Sequence, residues 1–351
     1  MLQGRTAAVL TSITRQYISR AVPVSSASVA GDYGLDVSSA TIRNEMVSLE
    51  DGGYIIRPHH AAGSMPSDKG YRYYVDTLGR IEMPTAERRM IEHIFHQVEG
   101  NLEQWLGLAV TLLAQRVHNV AMVTMPKAPA CKFKHLELVS MQDYMALMIL
   151  VLHGAILRQQ LISFDQPMPQ AELSGIADKL ADAYNGLTAS KIRAKKVELS
   201  PLEKKITDCI LKMMQDEDGK GYEEPYLDGM HYLMNQPEFS SGQKIMGLMG
   251  LVEQRKLIEV MLPEGLEGGG VRVVIGSENP ENSVHDYSVV ISRYGLPEEA
   301  FGTIAVVGPT RMPYARAISV VDYMAAMMSR LVAELYGRES LKAEDNKKPE
   351  E

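Results

Sequence analysis

Ser38, Ser39, Thr41, Arg43 and Asn44 stand within seven residues of one another, in the run Val37-Ser38-Ser39-Ala40-Thr41-Ile42-Arg43-Asn44-Glu45-Met46. Near the start of a helix, hydroxyls of this kind reach phosphates and bases. An arginine can hold guanine O6 and N7 with two parallel hydrogen bonds, and an asparagine can do the same for adenine N6 and N7. Each good pair contributes roughly 1–3 kcal/mol of discrimination against a wrong base. The chemistry on offer is recognition of base edges, not bond-making. Each residue also has a second use. Ser38 or Ser39 serves equally well as an N-cap, and Arg43 can be consumed by an ion pair with a neighbouring acid.

Such side chains read DNA only from a rigid support. Ile42, Met46 and Leu49 fall at i, i+4 and i+7, which predicts a helix beginning at Ser38 or Ser39 with these three toward a core. Ser39, Thr41, Arg43, Asn44 and Ser48 then lie on or beside the outward face. Gly52-Gly53 stops that helix, Tyr54 to Arg57 is a short β-prone segment, and Pro58 to Pro66 is a loop. Upstream, Leu2, Thr6, Val9, Leu10, Ile13 and Tyr17 recur at helical spacing until Pro23. Ser25 or Ser26 caps a second helix with Val29, Ala30 and Tyr33 inward, and Ala30 and Gly34 supply the small residue and turn glycine of a helix-turn-helix corner. The order predicts a winged helix-turn-helix over residues 1–80, with the third helix as its major-groove probe. His59, His60, Lys69 and Arg72, in and after the loop, are candidates for sequence-blind phosphate contacts. Their alternative is an exposed polar loop without a role.

Composition sets the frame. The chain of 351 residues is long for one core, and 45% apolar with 23% charged residues is ordinary globular composition. A net charge of −8 argues against a chain coated in nucleic acid, but the distribution is uneven. The first eighty residues hold eight bases and seven acids, a net +1, which leaves −9 for the remainder. DNA affinity must then rest on a few placed contacts and on dimerisation. Cys131 and Cys209 lack metal or redox spacing and read as free thiols of a reducing cytoplasm. No run of about 18 apolar residues predicts a membrane span.

Beyond the head, Ser67 caps a helix with Tyr71, Tyr74, Val75 and Leu78 inward, so the tyrosines at 71, 73 and 74 pack a core instead of stacking on bases. Residues 81–117 read as connecting helices, after the break at Pro84 and with a pause at Gly100-Asn101. Strand patterns follow at Val120–Met125, Phe133–Met141 and Tyr144–Leu152, then helices at Pro169–Asn185 and Pro201–Gln215. Strands return at Val271–Ile275, Val289–Ile291 and Thr303–Val307, and an amphipathic helix runs from Pro313 to Tyr336. The fold class is α+β and multidomain: an α/β domain over 118–165 and 263–337, interrupted by an insertion over 166–262, and a charged, disordered tail over 338–351. Met141–Met148 and Met324–Met328 read as core or interface filler.

Three blocks stand in order along the chain: Asp36-Val37-Ser38-Ser39-Ala40-Thr41-Ile42-Arg43-Asn44-Glu45-Met46, Pro66-Ser67-Asp68-Lys69-Gly70-Tyr71-Arg72-Tyr73-Tyr74-Val75-Asp76, and Gly308-Pro309-Thr310-Arg311-Met312-Pro313-Tyr314-Ala315-Arg316. Together they resemble the HrcA family of bacterial heat-inducible transcription repressors. Asn235-Gln236-Pro237-Glu238-Phe239 is similar to a further family element. The resemblance implies a GAF-like α/β domain, an inserted dimerising domain, a homodimer on an inverted-repeat operator in double-stranded DNA, and assistance by a GroEL-type chaperonin. Its wing differs: relatives usually carry Ala-Gly-Arg-Ile-Pro-Thr, where this chain has Ala62-Gly63-Ser64-Met65-Pro66-Ser67. That difference places more of the contact on His59, His60, Lys69 and Arg72.

Gly308-Pro309-Thr310-Arg311 can hold an anion ahead of a helix, or form a tight turn whose arginine braces a neighbour, the reading that Gly-Pro favours. No phosphate loop, nucleophile elbow or metal-ligand motif occurs, and Gly268-Gly269-Gly270 lacks the strand-loop-helix context of a phosphate cradle. Neither an enzyme nor a cofactor is expected. The competing expectation is a ligand-sensing winged-helix regulator of an unrelated set of genes.

Overall fold

The computed structural model describes residues 2, 4–32, 38–59, 63–98, 101–127, 130–153, 156–219, 225–239, 250, 270–296 and 300–335. Gly34, Asp36, Val37, His60, Gly268, Gly269 and the tail over 338–351 lie outside them. Two compact units emerge: one comprises Met1–Met125, Glu224–Gly295 and Gly302–Glu351, the other Pro126–Glu223 and Leu296–Phe301. The architecture is α+β.

The first unit opens with α1 (Gly4–Arg20), α2 (Ser26–Ala30) and α3 (Ser39–Asp51), then β1 (Ile55–Ile56), β2 (Met65–Pro66) and α4 (Asp68–Thr77). Val9, Leu10, Ile13, Val29, Ile42, Met46, Leu49 and Ile55 form one buried cluster. The serine caps are used. Ser25, Ser38 and Ser67 are N-caps, accepting from the backbone N–H of Ser28, Thr41 and Gly70. Of the two stop glycines only Gly53 is left-handed, at φ +72; Gly52 keeps helical φ and ends α3. Within the expected loop, Met65-Pro66 pairs antiparallel with Ile56-Ile55, and Ser64 bridges to Val24. Gly70 is required by close approach: a Cβ there would stand 2.2 Å from the Tyr54 carbonyl oxygen.

Helices α5 (Thr85–His96) and α6 (Leu102–Val117) follow, the second capped by Asn101 as the expected pause requires. A five-stranded sheet has the order β7-β3-β10-β9-β8, with β3 Val120–Val123, β7 Tyr226–Asp228, β8 Val271–Ile275, β9 Tyr287–Leu296 and β10 Ala300–Pro309. Pairs β7–β3, β3–β10 and β9–β8 run antiparallel. Alternation sorts the faces: Ala121, Val123, Ile304 and Val306 pack toward α6 and the closing helix α11 (Tyr314–Leu335). Val120, Met122, Ala305 and Val307 pack with Leu233 of α10 (Met230–Met234) and with Phe239. Met324 and Met328 fill the first of these cores.

Helix α5 is held by one carboxylate between two guanidinium groups. Glu87 accepts from Arg316 of α11 at 2.6 Å and lies 3.4 Å from Arg116 of α6. Hydrogen bonding to Arg316 holds this carboxyl below its ordinary value, against the opposing effect of burial. A depressed carboxyl stabilises the fold above its unfolded pKa of about 4.3 and loses that contribution as the pH falls through the lower folded value. Glu87→Gln should therefore cost about 2 kcal/mol at neutral pH, between an exposed and a buried pair. Thermal melts at falling pH should show native and variant stabilities converging in acid; a constant gap would assign the loss to packing.

The second unit corrects the expected partition. Strands β4 (Phe133–Gln142) and β5 (Met145–Leu152) were expected in the same domain as β3; they pair instead with β6 (Leu157–Ser163) in a separate antiparallel sheet, β4-β5-β6. Phe133, Leu136, Leu138, Met148, Leu150 and Ile162 share a core with α7 (Gln170–Tyr184), α8 (Ala189–Ala194) and α9 (Pro201–Gly219). This unit thus starts near residue 126 and ends near 223, not at 166 and 262, because a strand's periodicity gives its faces and not its partner. Cys131 and Cys209 are free thiols. Burial, then Asp218, pushes the Cys131 thiol up to about 12, so it stays neutral.

Candidate nucleic-acid interface

Helix α3 presents two different faces. Ile42, Met46 and Leu49 are buried, whereas Ser38, Ser39, Arg43, Asn44, Val47 and Ser48 are exposed and Thr41 is half-buried. No acid lies in the first turn. Arg43 and Asn44 make no hydrogen bond or ion pair among the described residues, so both remain available to an external acceptor or donor. Ser38 is engaged as the cap, its Oγ accepting from the Thr41 N–H at 3.2 Å and lying 3.0 Å from Thr41 Oγ1. Ser39, the first helical residue, is exposed without such a task. Val47, 43% exposed, adds an apolar spot to this face.

The acid beside this face is turned elsewhere. Glu45 accepts from Arg5 Nε at 2.8 Å and from Thr6 Oγ1 at 2.7 Å, both on α1. Those hydrogen bonds hold its carboxyl below the usual value, Thr6 first and Arg5 next. They also fix the rotation of α3. Spacing could not reveal this tie, which joins positions some forty residues apart.

The other expected contacts divide. His59 is exposed in the turn after β1; His60 lies outside the described residues. Lys69 is exposed but occupied: Nζ donates to the Gly52 carbonyl at 2.8 Å and lies 4.4 Å from the Tyr54 ring centroid, capping the end of α3. Arg72 is engaged inside the molecule. Its Nε donates to Glu278 Oε1 at 2.7 Å and Nη2 to the Val273 carbonyl at 2.8 Å; Nη2 also bonds the other Glu278 oxygen, and Nη1 lies 3.6 Å from Asp76. A guanidinium so placed joins α4 to the turn after β8, with Nε and Nη2 donating to partners inside the molecule.

At the position that departs from the expected family run, Ser64 is fully buried and exchanges backbone hydrogen bonds with Val24 at 2.8 and 2.9 Å. Arg57, which sequence reasoning passed over, lies beside it, Nε 3.4 Å from Ser64 Oγ and 3.2 Å from Glu50. Arg311 takes the bracing role. It donates to Glu238 at 2.5 and 3.1 Å and to the Ile18 carbonyl, in the last turn of α1, at 2.7 Å. The Gly308–Arg311 turn is therefore a clasp between head and sheet, with its arginine spent on protein partners.

Among the described residues no group of three or more His, Cys, Asp or Glu side chains is placed to hold a metal, and no helix is long and apolar enough to cross a membrane. A model of the HrcA protein C-terminal domain matches residues 103–318. The heat-inducible transcription repressor HrcA of Dehalococcoides mccartyi is 52% identical over 338 residues, covering 96% of this chain and 98% of its own. That of Roseiflexus castenholzii is 39% identical over 347 residues, with 96% of each chain covered. A crystal structure described as a hypothetical protein at 2.2 Å resolution shares the fold, at TM-score 0.56 and 22% identity over 95% of this chain and 98% of that one. With a model spanning more than half its length and relatives matched almost end to end, the chain belongs to the HrcA family of heat-inducible transcription repressors.

Proposed function

We propose that this protein represses heat-shock genes in the cytoplasm as a homodimer, each protomer placing α3 in the major groove of one half of an inverted-repeat operator. The observation that carries this reading is the outward face of α3, where Arg43 and Asn44 are exposed and unspent above a buried face. The head is then a winged helix-turn-helix, with β1–β2 as the wing. Ser38, Ser39 and Thr41 lie near phosphates at the helix start, and His59 sits at the wing. Lys69 makes a secondary contribution, since its ammonium already closes the end of α3. The five-stranded sheet with its two layers is the GAF-like domain. The family is one of repressors, not enzymes, and the chemistry proposed here is binding alone.

Two half-sites call for two heads, because operator symmetry mirrors protein symmetry. The second unit is the proposed dimerising domain. One face of its sheet is buried on helices; the other exposes Val139, Met141, Leu157 and Leu161, the last at 55%. An apolar face of this kind, carried by the two outer strands β4 and β6, is self-complementary under a two-fold axis. Leu161→Lys should shift the protein from dimer to monomer in sedimentation and weaken operator binding, with the monomer still folded. A dimer of unchanged affinity would remove this face from the interface. A GroEL-type chaperonin is the proposed modulator, whose addition should raise the fraction of repressor competent to bind.

The direct test is a mobility shift with DNA from in front of the organism's chaperone genes. Salt-dependent binding, stronger than to a scrambled duplex, is expected. Equal affinity for both duplexes refutes the assignment.

A further inference from the structure

We infer that the cleft between the β1–β2 hairpin, the start of α4 and the loop before β9 is a binding site for a small organic cation. Its volume is about 700 Å³, within the roughly 300–1,000 Å³ typical of small-molecule sites. Charge decides the class of ligand. Arg311 and Glu238 line the cleft and neutralise each other at 2.5 Å. Asp68 and Asp286 also line it, and no described base pairs with either. One oxygen of Asp68 accepts the Ser277 N–H at 2.8 Å, which fixes the carboxylate. The nearby Arg72 is spent on Glu278. Two uncompensated carboxylates repel an anion and favour a cation.

Aromatic rings supply the rest of the wall. Tyr17, Tyr71 and Tyr287 line the cleft, and aromatic walls attract a cation and the hydrocarbon part that carries it. Tyr71 is only 2% exposed, and its hydroxyl has no hydrogen-bond partner. A buried hydroxyl left unsatisfied is costly, and an ammonium or guanidinium N–H would supply the missing donor.

Ile56 and Met65 bring the hairpin into the same wall as Asp286 and Thr310 from the sheet layer. An occupant therefore touches both the head and the body that carries it. Binding there is linked to DNA affinity, and the linkage is reciprocal. That regulatory half rests on the DNA-reading proposal; the binding half does not.

The test is isothermal titration of the full chain with 1,6-diaminohexane, agmatine and tyramine, with 1,6-hexanediol and adipate as neutral and anionic comparators. At least one cation should saturate one site per chain, at least about tenfold tighter than either comparator. Asp286→Asn should weaken that binding by a similar factor. Tyr71→Phe should also weaken it while leaving the thermal midpoint of the free protein unchanged or higher, since the orphan hydroxyl is gone; a merely structural Tyr71 would not give this split. Absence of saturable binding by all three cations, equal binding of adipate, or binding indifferent to Asp286→Asn overturns the site. Mobility shifts with and without a saturating cation then test the second half. Saturable binding with unchanged operator affinity retains the site and overturns only its regulatory role.

Discussion

Arg43→Ala should lower affinity for the inverted repeat by between about 30-fold and about 20,000-fold in the proposed dimer, since a pair of roughly 1–3 kcal/mol is lost in each half-site. The guanidinium is exposed and makes no described internal bond, so removing it should leave thermal stability within about 0.5 kcal/mol of native. Loss of binding without loss of fold separates reading from support. Arg43→Lys keeps the charge but not the planar fork; it should retain more affinity for scrambled DNA than for the operator, narrowing the ratio between them. Asn44→Ala should relax preference at one base position instead of weakening all sequences alike. If Arg43→Ala binds operator as the native protein does, α3 is not the reader.

Arg311→Ala should be the more damaging change to the fold. It removes the partner of Glu238 and the donor to the Ile18 carbonyl, at a side chain only 14% exposed. Stranding a largely buried carboxylate costs about 3 kcal/mol, the lower end of the range for broken buried pairs because Glu238 keeps some access to water. Ile18 also lies in the last turn of α1, where carbonyls without internal partners favour a cation. Urea or thermal unfolding should show the loss, with Arg311→Lys restoring only part of it, since an ammonium cannot span both glutamate oxygens and the helix carbonyl in one plane. Native-like stability of Arg311→Ala would mean that the clasp contributes nothing.

Both arginines sit in motifs that attract attention in the sequence, yet for opposite reasons. Arg43 is placed by a three-residue apolar stripe and a serine cap, all within twelve positions, and these local signals locate its helix within a residue. Arg311 stands in a turn equally open to an anion or a brace. Deciding between them required Glu238 and Ile18, one brought from the middle of the chain and the other from its first helix. Arg72 shows the same limit: its spacing places it on an outward part of α4, and the acid that claims it is two hundred residues away.

The sequence by itself determined the elements of the head, their caps and stops, the inner face of α3 and the family, because these depend on contacts within a turn or two and on residue order. Only the tertiary structure decided that Phe133–Ser163 forms its own sheet, that Lys69 and Arg72 have hydrogen-bond partners inside the molecule, and that Asp68, Asp286 and Tyr71 share a cleft. Those outcomes depend on which distant partner reaches a strand edge or a charged group. Periodicity records which side of an element faces inward, but not what it meets there. For the opening constellation this leaves Arg43 and Asn44 exposed, and shows Ser38 capping the helix that presents them.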